Sequence, residues 1–144
     1  MALFDQAELA TIWFHEDMTK ATTTDQRFVT EITAGSHSLL ADTTWQGSGG
    51  DAGMSPHALL ESSLAACIAM TVRIAADRRS TPLESATVEV IIDESDSNAP
   101  RFECRLTLNG SLSDQERAGL LRVAHHCPIG RLLSRSIPIE ISLT

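Results

Sequence analysis

Between Ser55 and Arg79 the chain carries a helix with no polar face. Ser55 is a good N-cap, and Pro56 suits the first helical position because the N–H it lacks would be unpaired there anyway. Pro82 lies just beyond the far end as a stop. The middle of the segment, Leu64-Ala65-Ala66-Cys67-Ile68-Ala69-Met70, is apolar all round. A helix of that kind belongs in a core and not on a surface. Ser62, Ser63, Ala65, Ala66 and Ala69 are small enough to let other backbone approach closely. One small sheet offers too little cover for such a helix, so the expectation is a dimer in which a second subunit completes the burial.

The rest of the chain supplies the sheets. Arg27–Thr33 and Ser38–Asp42 read as two strands around an Ala34-Gly35-Ser36 turn. Trp45–Gly53 is Gly-rich and reads as a flexible loop. Thr87–Asp93 and Phe102–Leu108 read as a second hairpin. Ser113-Asp114-Gln115-Glu116 is a capping box, opening a helix that turns Leu120, Leu121 and Ala124 inward. Cys127-Pro128 ends that helix and starts a short one reaching about Ser134. Ile137–Leu143 alternates as a last strand. The order ββ–α–ββ–α–α–β predicts an α+β fold. Residues 1–24 read as an arm or short helix, with Ala21–Asp25 as a linker, ahead of a domain over 25–144.

Charge and length narrow the function. The 144 residues carry 11 basic and 19 acidic side chains, for a net charge of −8. A surface of that sign repels phosphate backbones and anionic lipid, so neither nucleic acid nor a membrane is an expected partner. The N-terminus has no basic head followed by an apolar run, and the apolar stretch Leu64–Ala76 is short for a bilayer. The cytoplasm is the expected location.

Three cysteines cannot all pair within one chain, which argues against a disulfide scaffold. Cys104 alternates with Phe102 and Leu106 and reads as core filler. Cys67 lies in the apolar helix. It is either an inert core thiol or a reactive one, and the second reading needs a donor or cation nearby. Arg73 sits about 240° around the helix from it and points elsewhere. Cys127 starts the Pro128 helix, where free N–H groups stabilise a thiolate; alternatively it simply caps that helix beside the core. If Cys67 and Cys127 meet, they form a candidate peroxidatic and resolving pair.

His125, His126 and Cys127 are consecutive and cannot all face one metal, and there is no Cys-x-x-Cys or His-x-x-x-His, so no metal site is expected. His57 and His37 read as capping or surface residues. There is no nucleophile elbow, P-loop or dinucleotide fingerprint.

Two segments resemble a known family. Ser55-Pro56-His57-Ala58-Leu59-Leu60-Glu61-Ser62-Ser63-Leu64-Ala65-Ala66-Cys67 is similar to the helix motif of the OsmC/Ohr superfamily, the osmotically induced and organic-hydroperoxide-resistance proteins. Ala124-His125-His126-Cys127-Pro128-Ile129-Gly130 is similar to its second motif, and the two cysteines are 60 residues apart, as in the family. The resemblance covers about residues 25–144. It implies long central helices wrapped by antiparallel sheets in an intertwined homodimer, with active sites at the dimer interface. It also implies a thiol peroxidase chemistry without metal or organic cofactor. Cys67 would attack an organic hydroperoxide and become a sulfenic acid, Cys127 would close a disulfide onto it, and a lipoyl-type dithiol would reopen that bond.

The hydroperoxide-resistance branch carries an Arg in the first hairpin turn and a Glu after the helix proline. Here those places read Ala34-Gly35-Ser36-His37 and His57, closer to the OsmC-like branch. His57, Glu61, His37 and Arg27 are the groups left to activate Cys67. The rival expectation is a non-catalytic member, a stress-response dimer that binds a small apolar molecule or senses redox state through its thiols.

Overall fold

A computed structural model describes residues 18–44, 47 and 49–143. Most of the expected N-terminal arm, and Trp45 in the Gly-rich loop, lie outside the described residues. The chain divides into two compact units, residues 2–60 and 61–144.

The first unit holds a three-stranded antiparallel sheet. Strand β1 (Lys20–Thr23) pairs with β2 (Thr30–Ala34), and β2 pairs with β3 (His37–Ala41). Ala34 faces His37 across the Gly35-Ser36 turn, so the expected hairpin forms. Ala21–Thr23, read from sequence as part of a linker, is instead strand, with Lys20 opposite Thr33. Its β-branched Thr22 and Thr23 suit a strand.

The loop after β3 is organised around one buried carboxylate. Asp42, 2% exposed, accepts N–H groups from Thr43 at 2.7 Å and from Gly50 and Ala52 at 3.0 Å each. Those donors, Ala52 first, hold its carboxyl below the usual carboxylate range.

Helix α1 (Pro56–Arg78) has 23 residues. The Ser55 hydroxyl accepts the Ala58 N–H at 3.1 Å, the cap the sequence calls for. Within the chain, α1 buries one stripe and not its whole circumference: Leu64, Cys67, Ile68, Thr71, Val72, Ala75 and Ala76. These recur at helical spacing along a single face. Met70, on the other side, is 50% exposed. By length and composition α1 could also cross a membrane, with mean hydropathy 1.5 over an 18-residue stretch of which 33% is buried.

The second unit packs that stripe against a hairpin and two helices. Strands β4 (Leu83–Asp93) and β5 (Arg101–Gly110) pair antiparallel, with Val90 opposite Cys104 and Ile92 opposite Phe102. The hairpin is longer at the Leu83–Gly110 end than its alternation suggests. Gly110 allows this: its φ is +130°, and a Cβ there would lie 2.2 Å from the Pro82 carbonyl oxygen. Arg73 donates to the Leu83 and Glu84 carbonyls at 2.7 Å each, tying α1 to the start of β4.

Helix α2 (Asp114–Ala124) opens with the full capping box of Ser113 and Glu116. It buries Leu120 and Val123, whereas Leu121, expected inward, is 50% exposed. Helix α3 (Pro128–Leu133) follows with Cys127 as its N-cap. The expected last strand has no ladder partner among the described residues. Ile139, Ile141 and Leu143 are 85%, 92% and 102% exposed.

Candidate active site

Cys67 comes from the buried stripe of α1 and Cys127 from the turn into α3, and the fold of the second unit brings them together. They are 3% and 2% exposed. The Cys127 S–H donates to the Cys67 sulfur. The first turn of α3 then supplies a backbone donor to each thiol. Ile129 N–H reaches Cys67 Sγ at 3.5 Å, and Gly130 N–H reaches Cys127 Sγ at 3.2 Å. These are N–H groups that a helix start leaves without intrahelical partners.

The donors split the two thiols electrically. Cys67 is drawn down to about 6, chiefly by the Cys127 S–H, with help from Ile129 N–H and Thr71 against the opposing effect of burial. Cys127 is pushed up, because its proton is shared with the Cys67 sulfur and because it is buried. One proton held between two sulfurs favours a single charge on the pair, and the Cys127 S–H favours it on Cys67. The sequence reading asked for a cation near Cys67. The groups that lower it are neutral dipoles.

Close approach depends on Gly130. A Cβ there would lie 2.9 Å from Cys127 Sγ and 3.6 Å from Leu64 Cδ1. Thr71, 2% exposed, donates its hydroxyl to the Cys67 carbonyl at 2.7 Å. Neither Thr71 nor Ile129 was a candidate from sequence. The position of Thr71 four residues after Cys67 was the available signal for the first. Ile129 was hidden because its contribution is a backbone N–H.

The other candidates have contacts or positions of their own. Glu61 Oε1 accepts the Ile92 N–H at 2.9 Å, a contact that joins α1 to the end of β4. Arg27 stacks on the Phe28 ring at 4.8 Å in the first unit, where His37 opens β3. His57 is exposed in the first turn of α1. His126 Nδ1 bonds the Arg122 carbonyl at 2.7 Å. Among the described residues no group of three or more His, Cys, Asp or Glu side chains is placed to hold a metal ion.

A cavity of about 450 Å³ opens beside the pair. Leu64, Ile68, Phe102, Leu106 and Leu121 give it an apolar wall, with His125, Cys104 and Cys127 also on it. Cys67 is not part of that wall. Cys104 departs from expectation. It shares the face of β5 with Phe102 and Leu106, yet it is exposed, because that part of the face borders the cavity and not another side chain.

Comparison with known proteins places this architecture. Residues 48–142 match the family model described as OsmC-like protein. An OsmC-like protein from Mycoplasma pneumoniae superposes with a TM-score of 0.69 at 17% identity, over 83% of this chain and 87% of that one. An organic hydroperoxide resistance protein OsmC from Legionella pneumophila gives 0.59 at 23% identity, over 84% and 90%. An organic hydroperoxide resistance protein from Elizabethkingia anophelis gives 0.63 at 17% identity, over 84% and 89%. No curated protein matches the sequence. Similarity at that level of identity establishes the α+β fold, while the family match covers both thiols and everything between them. The chain therefore belongs to the OsmC-like family within the OsmC/Ohr superfamily.

Proposed function

We propose that this protein reduces organic hydroperoxides with Cys67 and Cys127. The observation that carries the reading is the thiol pair itself: Cys67 is held at about 6 by the Cys127 S–H and the Ile129 N–H. At neutral pH such a sulfur is mostly thiolate, the form that attacks peroxide oxygen. Cys67 displaces an alcohol from the hydroperoxide and becomes a sulfenic acid. Cys127 then attacks that sulfur, water leaves, and a disulfide closes. A dithiol of lipoyl type restores both thiols. The apolar wall of the neighbouring cavity suits an uncharged organic group, and the −8 net charge disfavours anionic substrates.

The functional particle in this reading is a homodimer. The open side of α1 and the alternating Ile139, Ile141 and Leu143 give a second copy apolar surface to cover.

A second reading is a redox-sensing dimer that does not turn over. It is favoured by the 3% exposure of Cys67, which limits access to the reactive sulfur. Steady-state turnover of cumene hydroperoxide with dihydrolipoamide separates the two. The peroxidase reading expects repeated turnover in the wild type and its loss in Cys67→Ser. Equal rates in both proteins overturn it, and a single stoichiometric oxidation without recycling favours the sensor.

A further inference from the structure

The cavity wall presents two sulfurs, and Cys67 is not one of them. Cys127, 2% exposed, meets the cavity from the start of α3, while Cys104 meets it from β5 and is exposed. The two side chains line one cavity of about 450 Å³. Partial burial pushes Cys104 up, so it rests as a protonated thiol. It is therefore a poor first attacker of an oxidant, but it stands where a disulfide involving Cys127 would be met from the cavity.

We propose that Cys104 is a third redox thiol, which takes Cys127 from a Cys67–Cys127 disulfide by thiol–disulfide exchange. The inference rests on the disulfide chemistry proposed above. Cys104 gives its proton to solvent and its sulfur attacks Cys127 Sγ. The Cys67–Cys127 bond breaks, its electron pair leaves on Cys67 Sγ, and a Cys104–Cys127 bond forms. One disulfide replaces another, with no net oxidation.

The direction follows from access. Cys104 and Cys127 line the same cavity and Cys67 does not, so Cys127 Sγ is the sulfur of the disulfide that Cys104 meets. Ile129 N–H, 3.5 Å from Cys67 Sγ, receives the departing charge. Exchange also moves the disulfide from two buried sulfurs to a pair with one exposed member, where an external dithiol has access.

The test maps disulfides in the full chain by peptide mass spectrometry. In Cys67→Ser treated with diamide, a Cys104–Cys127 link within one chain is expected. If both sulfurs stay free for alkylation after unfolding, the inference is overturned. In the wild type, one equivalent of cumene hydroperoxide should give Cys67–Cys127 first and Cys104–Cys127 later. A Cys67–Cys127 link that persists alone overturns the inference and leaves the peroxidase reading standing. Three reduced thiols after hydroperoxide, with a Cys104–Cys127 link after diamide, overturn the peroxidase reading and support the pairing. Cys104→Ser should slow re-reduction by dihydrolipoamide by about tenfold, since an intramolecular acceptor is lost; an unchanged rate counts against the exchange.

Discussion

Cys127 donates its S–H to the sulfur of Cys67, and that single contact drives the two thiols in opposite directions. It gives a thiol at 3% exposure a neutral donor that favours its charged form. Burial alone would have raised it.

Removing the donor should undo the effect. In Cys127→Ala, in a Cys104→Ser background, the Cys67 thiol should rise from about 6 toward the ordinary ~8.5. Ultraviolet titration of the thiolate measures it. A value that stays near 6 would mean that Ile129 N–H and Thr71 suffice by themselves.

The pair should also shape stability against pH. The Cys67 thiol is lower folded than unfolded, so its contribution grows as pH rises from about 6 to the unfolded ~8.5. The Cys127 thiol is raised, so its contribution is present below ~8.5 and lost above it. Stability from the pair therefore peaks near ~8.5. Urea midpoints across that range should show the maximum in the reduced wild type, and Cys67→Ala should lose the rising limb.

Gly130→Ala sets two effects against each other. Alanine favours the α3 helix by about 1 kcal/mol. The added methyl would sit 2.9 Å from Cys127 Sγ, and overpacking of that kind costs about 1–3 kcal/mol. Net destabilisation is expected, together with a rise in the Cys67 thiol as Cys127 is pushed away. Thermal unfolding and thiol titration of the same sample test both halves.

The exposed tail gives a test of assembly. Ile139→Asp with Ile141→Asp places two charges on side chains that are 85% and 92% exposed in the single chain. If a second copy covers them, light scattering should show the mass fall from dimer to monomer. An unchanged dimer would place the interface elsewhere.

Elements whose signal is local were legible in the sequence. The Ser55 cap, the Ser113–Glu116 box, the Cys127-Pro128 break and the two hairpins all form, because each rests on a few neighbouring residues. The motif spacing singled out Cys67 and Cys127. What lay between chain-distant residues was not legible. The alternation that made Cys104 look like filler is real, but alternation assigns a face and does not say whether that face meets side chains or a cavity. Glu61, a candidate activator from its motif position, is committed to the Ile92 N–H 31 residues away. Lys20–Thr23 became strand only because β2 offered it an edge.

The sequence by itself determined the α+β class, the family, and the two cysteines that the fold brings together. Tertiary structure decided their chemistry. A thiol's charge depends on the donors within a few ångströms of it, and here those are an S–H and a backbone N–H that α3 brings to the wall of α1. No local pattern around Cys67 encodes them, since both arrive from 60 residues or more along the chain.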